Sequence, residues 1–132
     1  MAISLEGRTA IVTGAGGGLG RTHALLLARA GANVIVNDIP QNLANAEAVV
    51  EEIRAAGGHA EAAGASVTDE AAVAEMVGKA GAVDILVNNA GILRDKSFSK
   101  MDLADFRLVV DVHLMGSVIC TKAVWDGMRE RN

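Results

Sequence analysis

The sequence predicts an α/β fold, a parallel sheet whose strands are joined by crossover helices. Strand and helix signals alternate from one end of the chain to the other, and a glycine-rich run, Thr13 to Gly20, marks the first change from strand to helix. The chain is 51% apolar, yet its aromatic residues are only Phe98, Phe106 and Trp125, so the core must be aliphatic.

The first strand is read over 8–13, where Thr9-Ala10-Ile11-Val12 is short and β-rich, and the first helix over 18–30, closed by Gly31. A second strand spans 33–38, and a helix from Asn42 to Ala56 follows with Leu43, Ala46, Val49, Val50 and Ile53 on one face. Gly57-Gly58 stops it. A strand from His59 to Ala65 precedes a helix from Glu70 to Ala80, and Val83 to Val87 reads as the fourth strand. The last segment, Asp102 to Arg129, reads as one helix on the steps of Phe106, Val109, Val110, His113, Ser117, Cys120, Val124 and Met128. Asp102 is its expected N-cap, with Asp105 in the first turn.

The run Thr13-Gly14-Ala15-Gly16-Gly17-Gly18-Leu19-Gly20 therefore lies where a helix N-terminus offers unpaired N–H groups. Residues without a Cβ let the backbone come close to a pyrophosphate there, so the run reads as a dinucleotide cradle. The G-x-G-x-x-G pattern fails at Leu19, and a Walker-type loop fails because Gly20-Arg21-Thr22 stands where Gly-Lys-Ser/Thr is needed. The pattern met is T-G-x-x-x-G-x-G, by Thr13, Gly14, Gly18 and Gly20.

About 20 residues further on, where such units place an acid for the adenosine ribose, Asp38 ends the second strand. Its carboxylate suits ribose hydroxyls and repels a 2′-phosphate, which predicts NAD in preference to NADP. The other reading of Asp38 is a cap or turn residue ahead of Pro40. Arg21 is expected to ride on the helix, away from Asp38.

The 132 residues suffice for one domain, and the net charge of −4 with scattered basic residues argues against nucleic-acid or membrane partners. No stretch is read as long enough to span a membrane. The single cysteine, Cys120, rules out an internal disulfide and reads as a small core residue. With no targeting signal recognised, the expected compartment is the cytoplasm. His23, His59 and His113 are too dispersed for a metal set, so no metal is expected.

After the fourth strand comes Asn88-Asn89-Ala90-Gly91. With the glycine loop before it, this segment resembles the first half of the short-chain dehydrogenase/reductase family over Leu5 to Asn132. The resemblance implies a doubly wound parallel sheet of Rossmann type in the order 3-2-1-4. It also implies nicotinamide cofactor binding by Gly14, Gly18, Leu19, Gly20, Asp38, Ser66, Val67, Asn88, Ala90 and Gly91, with Ile92 beside them. Ser66 stands where the family usually has Asp, so the usual adenine-side carboxylate is missing. The Asn pair also reads as a plain strand-ending turn. Residues 91–98, Gly-Ile-Leu-Arg-Asp-Lys-Ser-Phe, and the later His113-Leu114-Met115-Gly116 look like the hydroxyacyl-CoA dehydrogenase units of peroxisomal multifunctional enzymes and their bacterial relatives. His113 stands where the family has its proton-relay Asn; either it holds a water there or it is simply packed.

Family members transfer hydride with a Ser, a Tyr and a Lys on the fifth strand and helix; this chain has no tyrosine. Lys96, Lys100 and Lys122 lack a phenolic partner, and Ser97, Ser99 and Ser117 lack a base with triad-like spacing. Residues 1–132 are therefore expected to be the N-terminal dinucleotide-binding half of a single domain, truncated after helix four and inactive alone. The substrate expected for the whole enzyme is a secondary alcohol or ketone, with a 3-hydroxyacyl thioester as a candidate. A non-catalytic nucleotide-binding or assembly module is the rival reading. Such a half leaves strand four as an open edge, which predicts a homo-oligomer or a fragment held by a partner segment.

Overall fold

The computed structural model describes residues 3–132. Strands β1 (Thr9–Val12), β2 (Asn33–Asp38), β3 (His59–Gly64) and β4 (Ile85–Val87) form one parallel sheet in the order β3-β2-β1-β4. Helices α1 (Gly18–Arg29), α2 (Leu43–Ala55), α3 (Glu70–Ala80) and α4 (Leu103–Arg131) alternate with them.

The two-residue period of a strand decides which face each side chain covers. Ala10, Val12, Val34 and Val36 pack with Ala24 and Ala28 of α1 and with Ala46, Val49, Val50 and Ile53 of α2. Ile11 and Ile35 point the other way, onto Met76 of α3, Val83 and Val124 of α4. Both faces are thus covered, as a parallel sheet requires. The aliphatic core follows directly from that composition.

Boundaries differ from the sequence expectation where side chains replace backbone partners. The ladder of β4 begins at Ile85 rather than Val83. At Asp84 the chain still pairs with β1, its N–H donating to the Thr9 carbonyl at 2.9 Å and its Oδ2 accepting from the Thr9 N–H at 2.9 Å. A carboxylate therefore stands in for a strand carbonyl. At the end of β3 the buried Asn37 donates through Nδ2 to the carbonyls of Ala63 and Ala65, at 3.1 and 3.0 Å. Before α2 the residues Pro40–Asn42 form a 3₁₀ turn, so the α-helix itself starts at Leu43.

The last helix departs most. Residues Asp111–Met115 form a π-helical segment inside α4. Its wider turn shifts the side-chain register, so the expected continuous stripe is split. Cys120 and Val124 are buried and Met128 packs on the sheet, while Phe106 and Val110 are exposed. Asp102 occupies the N-cap position without a side-chain cap bond. By length and composition alone α4 is long and apolar enough to cross a membrane, contrary to the sequence expectation. In this fold it lies against the sheet through Cys120 and Val124 and leaves Leu114, Val118 and Trp125 exposed.

Burial pushes the Cys120 thiol from its ordinary 9.0 up to about 11. It stays protonated at pH 8, so iodoacetamide should leave the folded chain unmodified while alkylating it in denaturant; mass spectrometry reads the difference.

Candidate functional site

The glycine loop follows the carboxyl end of β1, and hydrogen bonds hold it to both neighbours of β1. Thr13 N–H donates to the Val87 carbonyl of β4 at 3.1 Å, and Ala15 N–H to the Asn37 carbonyl of β2 at 2.7 Å. The loop then enters α1, whose first turn contains no acidic residue, so the positive end of the helix is unneutralised from within. Gly14, Gly16, Gly17, Asp38, Asn42, Asn45, Asn89 and Gly91 line a groove of about 330 Å³ beside it.

Gly14 has φ +61°, and a Cβ there would sit 2.9 Å from the Ala90 Cα. Gly20 has no such backbone need, but a Cβ would come within 2.5 Å of both Asn89 Nδ2 and the Gly14 carbonyl oxygen. Outside the motif positions, a Cβ on Gly16 would lie 2.7 Å from Asp38 Oδ2. The loop is thus stripped of side chains against two partners, the Asn-Asn-Ala-Gly segment and Asp38.

Asp38 makes the turn contacts read from its position and also faces the glycine loop. Its Oδ1 accepts from Ile39 N–H at 2.9 Å and from Asn42 Nδ2 at 3.3 Å, as a turn residue would. Its Oδ2 accepts from Gly16 N–H at 3.0 Å, which fastens it to the glycine loop and the groove. Asp38 is the only ionisable residue lining that groove among the described residues. Arg21 is elsewhere: its guanidinium pairs with Glu52 of α2 at 2.7 Å.

The second Asn of the pair ties the two motifs together. Asn89 Nδ2 donates to the carbonyls of Thr13 and Gly14 at 3.0 and 3.1 Å. The Thr13 hydroxyl oxygen accepts from the N–H groups of Asn89 and Ala90, both at 3.0 Å. Asn88 turns away and donates to the Thr121 hydroxyl of α4 at 3.0 Å. Neither Asn89 nor Gly16 was singled out as a binding residue by the sequence, although both stand inside the quoted motifs.

Other expected residues are distributed more widely. Leu19 is exposed, and neither it nor Gly18 nor Gly20 lines the groove. Val67 is buried under α4, where a Cβ on Gly116 would lie 2.5 Å from its Cγ2. The Ser66 hydroxyl bonds the Thr68 hydroxyl at 2.9 Å. Neither Ser66 nor Val67 reaches the groove, whereas Gly91 lines it. His113, in the π-helical segment, packs its ring on Gly91, where a Cβ would be 2.5 Å from Cε1. Its Nε2 lies 3.0 Å from the Ile92 nitrogen and 2.9 Å from the Ile92 oxygen. One ring nitrogen accepts from the first or donates to the second, according to tautomer. The imidazole thereby clamps the backbone next to Gly91.

The donor set and the missing Cβ atoms fit a dinucleotide: free N–H groups at a helix start, a backbone that a Cβ would block, and a carboxylate at the end of β2. A family model described as short chain dehydrogenase matches residues 8–132. The peroxisomal multifunctional enzyme type 2 of Drosophila melanogaster is 53% identical over 135 residues, covering 96% of this chain and 23% of that protein. A hydroxyacyl-CoA dehydrogenase of Mycobacterium tuberculosis is 43% identical over 125 residues, covering 89% of this chain and 39% of its own. The crystal structure of a short chain dehydrogenase from Mycobacterium avium aligns with a TM-score of 0.88 at 42% identity, over 96% of this chain and 49% of that one. The chain therefore spans half the length of these proteins or less.

Proposed function

This chain belongs to the short-chain dehydrogenase family, and we propose that it forms the NAD(H)-binding part of an oxidoreductase acting on a secondary alcohol or ketone. A 3-hydroxyacyl thioester is the substrate class we favour, on the 53% and 43% identities to a multifunctional enzyme and a hydroxyacyl-CoA dehydrogenase. When bound, the dinucleotide supplies the hydride acceptor or donor. The chain's own residues bind and orient it. The N–H groups at the start of α1 would hold the pyrophosphate, Asp38 the adenosine ribose, and Asn89 keeps the loop in place for both.

The observation that carries the reading is the Gly16–Asp38 contact at 3.0 Å, in a groove with no cationic side chain among the described residues. A 2′-phosphate there would meet the carboxylate without a guanidinium, since Arg21 is committed to Glu52. Calorimetry is expected to give NAD binding at least about tenfold tighter than NADP, with Asp38→Ala losing about tenfold for NAD. Preference of the unmodified chain for NADP would overturn the Asp38 assignment. The tyrosine and lysine that do the acid–base work in the family have no counterpart in these 132 residues, so the chain alone should form no NADH from any alcohol.

Self-association is proposed with it. Leu114, Val118 and Trp125 are exposed together on α4 and offer an apolar contact face. Sedimentation is expected to show a homo-oligomer that Trp125→Glu dissociates. The cytoplasm is the compartment we propose, in keeping with the unpaired Cys120.

A further inference from the structure

Four polar side chains line the groove beside the glycine loop: Asp38, Asn42, Asn45 and Asn89. Three are already engaged. Asp38 accepts from Gly16, Ile39 and Asn42; Asn42 spends an N–H on Asp38; Asn89 spends its amide nitrogen on Thr13 and Gly14. The Asn45 side chain alone has no hydrogen bond among the described residues, so its amide is free on the groove wall.

It meets the same glycine as Asp38. The point where Gly16 lacks a Cβ is 2.7 Å from Asp38 Oδ2 and 3.2 Å from Asn45 Cβ, so the two side chains flank one backbone opening. Their chemistry is complementary. A carboxylate only accepts, whereas an amide nitrogen donates and its oxygen accepts. A ribose hydroxyl that donates to Asp38 still has lone pairs to satisfy, and the Asn45 amide can fill them. We infer that Asn45 is a further ligand of the adenosine ribose and, through its neutrality, a residue that sets the choice between a 2′-hydroxyl and a 2′-phosphate. A 2′-phosphate would find the Asp38 charge on one side and an amide unable to balance it on the other.

The assignment rests on the dinucleotide reading of the groove, and the test separates the two. The full 132-residue chain is titrated with NAD and with NADP by calorimetry, alongside Asn45→Ala, Asn45→Arg and Asp38→Ala, each checked by thermal melting. Asn45→Ala should weaken NAD binding by about five- to tenfold with melting unchanged, the loss of one hydrogen bond. Asn45→Arg should raise NADP affinity by about tenfold or more, a gain that a merely structural residue would not produce. Asn45→Ala binding NAD within about twofold of the unmodified chain, while Asp38→Ala loses it, would overturn the Asn45 role and leave the groove's reading intact. An unmodified chain that binds neither dinucleotide overturns the reading, and the Asn45 role with it.

Discussion

Gly14→Ala is expected to lower stability by about 2–4 kcal/mol and to abolish measurable NAD binding. Two costs add at this position. A residue with a Cβ at φ +61° carries about 1–2 kcal/mol of left-handed strain. The new methyl would also meet the Ala90 Cα at 2.9 Å, a backbone atom held in place because Ala90 N–H donates to the Thr13 hydroxyl at 3.0 Å. Relaxation must therefore part the loop from the Asn-Asn-Ala-Gly segment and spoil the groove. Gly17→Ala is the control: its backbone is extended, and nothing lies within 4 Å of an added Cβ. Urea unfolding should place the control within about 1 kcal/mol of the unmodified chain. Equal losses at both positions would refute the close-approach account.

Asn89→Leu should cost about 2–5 kcal/mol, whereas Asn88→Leu should cost under about 1 kcal/mol. The Asn89 amide serves two carbonyls, Thr13 and Gly14, at 3.0 and 3.1 Å in a half-buried site; leucine leaves both unpaired. Each orphaned acceptor costs about 1–3 kcal/mol. Asn88 is exposed, and its partner, the Thr121 hydroxyl, can turn to water. Thermal melts of the two variants read the contrast directly. NAD titration should then show Asn89→Leu losing binding through the loop, and Asn88→Leu retaining it.

That contrast also marks how far residues 88–91 can be read before folding. The pair Asn88-Asn89 looks symmetrical in sequence, because both residues suit the turn that ends β4. The turn past β4 breaks the symmetry: Asn89 N–H folds back onto the Val87 carbonyl at 3.0 Å, and one amide meets the glycine loop while the other meets α4. Which is which depends on the pairing of β4 with β1, where Val12 stands opposite Val87. Gly16 is similar. The motif treats its position as free, yet Asp38 lies against it once β2 is placed beside β1. The helix stripe from Phe106 to Met128 was readable only in its second half, since the π-helical segment at Asp111–Met115 breaks the 3.6-residue register. Ser66 and Val67 are placed near the cofactor by resemblance alone; in the fold the Val67 side chain packs against Gly116, a contact no local pattern announces.

Local physics made the parallel α/β order legible: β-branched runs, apolar helical faces and glycine stops act over a few residues each. The same holds for the strand-to-helix glycine turn and for an acid at the end of β2. The hydrogen-bond partners were decided only in three dimensions. Asp38 reaches Gly16 across 22 positions, and the Thr13 hydroxyl gathers Ala90 across 77. Those pairings form because the crossover helices set β2 and β4 on either side of β1, a long-range packing outcome that no short window of residues contains.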